Sequence, residues 1–167
     1  MALITEAYRE QNALLHQKDP GYGAGAGGKC GGKVRELMQT YATQSVLDYG
    51  CGKGTLAKLL PSVRNYDPAM PEFSAPPEPA DIVICRDVME HVEADCIDDV
   101  LDDIKRLTRK VAWLNIVCRP ATKNLPDGRN THISVYPRAW WLDKLRERFT
   151  VLKDAGDELE FSVLVQP

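Results

Sequence analysis

Three features of the chain predict an α/β fold: a doubly wound, mostly parallel sheet with one antiparallel strand at its C-terminal end. Short apolar runs alternate with segments of helical periodicity. One run, DIVICR at 81–86, is apolar between Asp81 and Asp87, the pattern of a strand buried on both faces of a parallel sheet. A group of glycines follows the first run, where such a strand turns into a helix.

The elements follow in order. Residues 1–32 form an N-terminal segment, and Gly21–Gly32 holds seven glycines, so this stretch reads as a flexible loop. Val34, Leu37, Met38 and Tyr41 then fall on one face of a helix over 33–42. SVLDYG is a short buried strand, and KGTLAKLL is a helix that stops at Pro61. VRNYD at 63–67 is a second strand. The proline-rich stretch after it is too short and too rich in breakers for a further helix and strand, so the fold is shortened there. Ile97, Val100, Leu101, Ile104 and Leu107 mark a helix over 96–109, followed by the strand KVAWLNIVC. Residues 119–137 are a long irregular connection of the kind that carries function. RAWWLDKLRERF is amphipathic, and FTVLKDA with ELEFSVLVQ closes the sheet as a strand pair. The whole, 1–167, is expected to be one domain.

Composition narrows the function. Apolar residues make up 44% and charged residues 27%, which predicts a folded globular chain. A net charge of −3 gives no global pull toward nucleic acid or anionic membrane. The five cysteines are scattered and odd in number, so a disulfide framework or zinc knuckle is not indicated and a reducing, cytoplasmic setting is expected. Glu6, Arg9 and Glu10 interrupt what a secretory signal would need, and no run has the length of a membrane span. GGKCGGK at 27–33 imitates a phosphate-binding loop, but Val34 stands where its Ser or Thr would hold magnesium, and no strand precedes it.

The main functional signal is Val46–Gly54, VLDYGCGKG, with glycines at i, i+2 and i+4 between a strand and a helix, and with Asp67 ending the next strand. This segment resembles motif I of class I S-adenosylmethionine-dependent methyltransferases; YDPA resembles their acidic second motif, and DIVICRDVMEHVE their central strand and turn. The resemblance implies a Rossmann-like fold with S-adenosyl-L-methionine as cofactor. It places Asp48 near the methionine moiety and Asp67, followed by Pro68, at the ribose. Gly50, Cys51, Gly52 and Gly54 pass beneath the cofactor, and Arg86, Asp87 and Val88 lie beside it. Apart from the resemblance, Tyr22 in the glycine-rich loop is a candidate to close over the cofactor as part of a lid, the alternative being a disordered linker.

Asp87, Glu90 and His91 form D-x-x-E-H just past the central strand, and His132 lies in the long connection. Glu90, His91 and His132 are the candidate catalytic residues. A histidine is a general base near neutral pH. Together with Asp87, the same residues form a possible divalent-metal site, similar to the E-x-x-E-H of small-RNA and ubiquinone-pathway O-methyltransferases. Alternatively Glu90 and His91 only brace the turn. Asp127, Arg129 and Asn130 form a polar cluster before His132, either contacting substrate or building a solvated turn. Of Trp140 and Trp141, one is expected in the core and the other there or at the acceptor pocket. Lys105, Arg106, Arg109 and Lys110 read as a solvated face. The expected function is methyl transfer to an oxygen or nitrogen of a small acceptor of nucleoside, sugar or phenolic type. Methylation of a nucleic acid or protein, and a catalytically inactive cofactor-binding or interaction module, are the alternatives.

Overall fold

The computed structural model describes residues 2–167. In chain order the elements are α1 (Glu6–Lys18), α2 (Ala26–Thr40), β1 (Val46–Tyr49), α3 (Thr55–Leu59), β2 (Val63–Tyr66), β3 (Ala80–Arg86), α4 (Ile97–Leu107), β4 (Thr108–Val117), α5 (Arg138–Arg146), β5 (Thr150–Gly156) and β6 (Glu160–Gln166). The six strands form one sheet in the order β2-β1-β3-β4-β6-β5. The β1–β2, β1–β3 and β3–β4 pairs are parallel, while β6 runs antiparallel to both β4 and β5. This is the expected Rossmann-like arrangement with one antiparallel strand near the end.

The apolar run of β3 serves two cores at once, because successive side chains point to opposite faces of a sheet. Ile82 and Ile84 join Val46, Val111 and Trp113 beneath Val34 and Leu37 of α2 and Leu56 of α3. Val83 and Cys85 join Leu47, Ala112 and Leu114 against Val100, Leu101 and Ile104 of α4 and Trp141 of α5. Trp140 stacks on Tyr136 at 4.0 Å between ring centroids rather than walling a pocket.

Two boundaries differ from those read in the sequence. Helix α1 covers part of the N-terminal segment, with Thr5 accepting a hydrogen bond from the Tyr8 amide as its N-cap. Helix α2 begins at Ala26, inside the glycine-rich stretch expected as a loop. Its glycines let α2 lie hard against α3: a Cβ on Gly27 would sit 2.4 Å from the Thr55 carbonyl oxygen, and one on Gly31 would sit 2.4 Å from Leu59 Cδ2. A glycine in a helix costs roughly 1 kcal/mol, which this close packing offsets. The imitation of a phosphate-binding loop at 27–33 is therefore helix. Between β2 and β3 a single 3-10 turn, Pro71–Phe73, replaces a helix and strand, leaving β2 as the edge of the sheet. Of the basic cluster, Arg106 pairs with Asp103 and Lys110 with Asp81. Among the described residues no helix is long and apolar enough to cross a membrane.

Candidate active site

Parallel strands of a doubly wound sheet open a crevice beyond their C-terminal ends, and here β1, β2 and β3 end around one cavity of about 470 Å³. The turn after β1 is pinned by the amides of Gly50 and Cys51, which both donate to the Tyr66 carbonyl at the end of β2. Gly52 has φ +52°, and a Cβ there would lie 2.5 Å from the Gly23 oxygen; the loop before α2 thus lies directly on the turn, fastened by Lys53 N–H donating to that oxygen at 2.9 Å.

Asp67 completes this end of the cavity. Its Oδ2 accepts from the Gly52 amide and its Oδ1 from the Ala69 amide, both at 2.9 Å. Each oxygen keeps a second lone pair, the requirement for gripping two adjacent hydroxyls. Burial raises its pKa, partly offset by the hydrogen bond from Ala69.

At the other end, Asp87 turns the chain out of β3 with φ +57°, a conformation that Asp tolerates better than most residues. The following 3-10 turn, Met89–His91, carries Glu90 and His91 inward. Asp87, Glu90, His91 and His132 each offer a ligand atom, and these atoms all lie within 4.8 Å of one another. Oε1 of the fully buried Glu90 accepts from the Val117 amide at 3.1 Å, while its Oε2 receives no N–H or O–H from another of the described residues. Burial and the adjoining Asp87 push the Glu90 carboxyl well above the usual range. Burial would raise Asp87 too, but the hydrogen bond with Glu90 and the neighbouring His91, Arg86 and His132 bring it below its ordinary value. The site thus drives the two carboxyls apart, Glu90 upward and Asp87 downward. Burial, with His132 beside it, lowers His91 to about 4, so its ring is neutral at physiological pH. His132 Nδ1 lies 2.7 Å from the Arg119 carbonyl, and its Nε2 is 3.9 Å from Asp87 Oδ1. Because a carbonyl only accepts, Nδ1 carries the hydrogen and the Nε2 lone pair is left for the cavity side. The two histidine rings meet edge-on at 4.7 Å.

Of the residues singled out in the sequence, Tyr22, Gly50, Cys51, Gly52, Asp67, Pro68, Arg86, Asp87, Val88, His91 and His132 line the cavity. Three others assigned to the cofactor or to catalysis do not. Asp48 lies 2% exposed in a strand buried on both faces. Gly54 faces away, toward Asn65 and Phe73. Glu90 is fully buried outside the cavity lining, although one of its oxygens belongs to the four-residue group. In the long connection, Asp127 and Arg129 pair with each other, and Arg129 lies over the Tyr8 ring at 5.4 Å.

The sequence reading missed α1. Tyr8, Asn12 and His16, spaced i, i+4 and i+8, present one face to the cavity. Tyr22 donates to Asn12 Oδ1 at 2.9 Å, lies 3.5 Å from His91 Nδ1, and rests against the His16 ring at 4.6 Å. Tyr8 donates to the His91 carbonyl at 2.7 Å. The available signal was a polar pair, Asn12 and His16, sharing a helical stripe with Tyr8 and Leu15.

A family model described as a methyltransferase domain matches residues 22–148. The chain belongs to the class I S-adenosylmethionine-dependent methyltransferases. This methyltransferase shares its fold with solved structures of low sequence identity. A Burkholderia thailandensis 1,6-didemethyltoxoflavin-N1-methyltransferase, solved with bound 1,6-didemethyltoxoflavin and S-adenosylhomocysteine, is 14% identical with a TM-score of 0.69, covering 95% of this chain and 87% of that one. The magnesium protoporphyrin IX methyltransferase of Synechocystis PCC 6803, with S-adenosylhomocysteine bound, is 12% identical with a TM-score of 0.56, covering 100% and 90%. The methyltransferase domain of bacterial CtHen1-CN is 16% identical with a TM-score of 0.58, covering 82% and 97%. Comparison with curated proteins finds no match.

Proposed function

We propose that this methyltransferase transfers the methyl group of S-adenosylmethionine to an oxygen or nitrogen of a small acceptor held beside Asp87, His91 and His132. The observation that carries this is the continuity of one cavity from the Asp67 carboxylate to the Asp87–Glu90–His91–His132 group. The ribose hydroxyls donate to the free lone pairs of Asp67, over a floor of Gly50, Cys51 and Gly52. Pro68, Arg86 and Val88 flank the cofactor, and Tyr22 covers it. The sulfonium carbon then faces the histidines. Methyl transfer forms the acceptor–carbon bond, breaks the sulfur–carbon bond and releases a neutral thioether, so the protein need only align the two reactants and accept one proton. His132 Nε2 accepts that proton, and Asp87 stabilises the imidazolium that results. His91 is poorly suited to that role, since burial depresses its proton affinity.

A second reading rests on a buried Glu90 oxygen that receives no donor from another of the described residues, and on the short distances within the group. Two carboxylates and two imidazoles suit a divalent cation, which would lower the pKa of an acceptor hydroxyl. Asp87, Glu90, His91 and His132 would hold it. Calorimetry with S-adenosylmethionine, S-adenosylhomocysteine and NAD tests the first reading; NAD binding without either sulfur cofactor would overturn it. Methyl transfer from labelled cofactor to a panel of hydroxyl- and amine-bearing nucleosides, sugars and phenols then identifies the acceptor. Loss of turnover on chelation, restored by magnesium or manganese and absent from Glu90→Gln, selects the metal. Resistance to chelator selects the base.

A further inference from the structure

Asn130 lies within the long connection, yet it does not face the cavity. Its side chain makes a closed set of bonds inside the loop. Oδ1 accepts from the Ala121 amide at 2.9 Å and from the His132 amide at 3.0 Å. Nδ2 donates to the Ala121 carbonyl at 2.9 Å and lies 3.4 Å from Asn124 Oδ1. The assignment of its amide is unambiguous, because two backbone N–H groups require an oxygen and one carbonyl requires a nitrogen. One side chain thus ties position 121 to position 132, clamping the two limbs of the loop together. Thr131 reinforces the clamp: its amide and hydroxyl both donate to the Lys123 carbonyl at 3.1 Å.

The clamp has a chemical result. It brings the Arg119 carbonyl, two residues before Ala121, to 2.7 Å from His132 Nδ1. A neutral imidazole has one hydrogen, and this carbonyl claims it at Nδ1. We propose that Asn130 is a positioning residue that fixes His132 as its Nδ1–H tautomer and directs the Nε2 lone pair at the acceptor. Partners that fix the tautomer and orientation of a working histidine are part of its function whether it takes a proton or holds a metal. The assignment rests on the proposed role of His132, but its test reads the ring directly.

Full-length protein labelled with nitrogen-15 and free of added metal has three histidines to assign. Long-range proton–nitrogen correlation spectra, recorded well above the ordinary imidazole value of about 6.5, distinguish a protonated from an unprotonated ring nitrogen. The expected wild-type pattern for His132 is protonated Nδ1 and unprotonated Nε2. In Asn130→Ala the ring should shift toward a mixture of tautomers, and kcat should fall about 10–100-fold, the usual effect of losing such an orienting partner, with cofactor affinity unchanged. A wild-type His132 protonated at Nε2 would overturn the proposal without need of a variant. So would an unaltered His132 pattern in an Asn130→Ala protein whose backbone amide spectrum shows it folded. If His132 shows the expected tautomer and responds to Asn130→Ala, yet His132→Ala leaves turnover intact, the clamp stands and the proposed role of His132 falls.

Discussion

Replacing Asp48 by Asn should stabilise the cofactor-free protein, and by an amount that grows with pH. The carboxyl lies in β1, one oxygen has no hydrogen-bond partner, and burial raises its pKa from the ordinary 3.8 to about 7, with Asp67 adding repulsion and Arg86 opposing it. The unfolded chain releases this proton near pH 4, while the folded chain keeps it until about pH 7. Between those values unfolding releases a proton, so stability falls as pH rises. A difference of about three pH units corresponds to about 4 kcal/mol, fully expressed above neutrality and absent below about pH 4. Asn removes the ionisation at nearly constant volume. Its benefit should approach zero in acid and reach up to about 4 kcal/mol at about pH 8, equivalent to about 8–16 °C in Tm for a chain of this length. Urea or thermal unfolding of both proteins across that range, without cofactor, measures the difference. A wild-type minus variant stability that does not vary with pH would refute the assignment of a buried, protonated Asp48.

Three further outcomes are expected. Asp67→Ala should weaken S-adenosylmethionine binding by about 1.5–3 kcal/mol, the value of charge-assisted hydrogen bonds, as read by calorimetry; an unchanged Kd would place the ribose elsewhere. His132→Ala should lower kcat about 10²–10⁴-fold while leaving Tm near the wild-type value, and a normal rate would remove it from the reaction. Gly27→Ala drives a methyl group into the Thr55 backbone and should destabilise the fold by about 1–3 kcal/mol by overpacking α2 against α3; a neutral effect in chemical denaturation would contradict that close packing.

The sheet was legible because its signals are local. The unbroken apolar run of β3 needs two covered faces, and the helical stripe of α4 needs one. The glycine turn and the spacing of Asp87, Glu90 and His91 were equally plain, and the structure brings distant His132 to them. What escaped depended on partners far away in the chain. Glycine reads locally as a breaker, and only the approach of α3 makes Gly27 and Gly31 suitable within a helix. Asp48 alternates within a strand covered on both sides, so its sequence position alone could not say that it lies behind the turn instead of at the cavity. Asn130 belongs to a run rich in turn residues, PDGRN, which gives no sign that one polar side chain points inward and fastens the loop.

The cavity takes one wall from α1, and that origin sets the order in which the site can be completed. Thr5 is joined to Glu93 across 88 positions, Tyr8 to His91 across 83, and Asp19 to Lys123 across 104. Such distant pairings carry a large loop-closure cost and form slowly. During synthesis α1 has no finished surface to settle on until the loop ending at His132 has emerged. The wall that α1 supplies is thus fixed only after the loop ending at His132 has been made, and the site is unready for its cofactor until then.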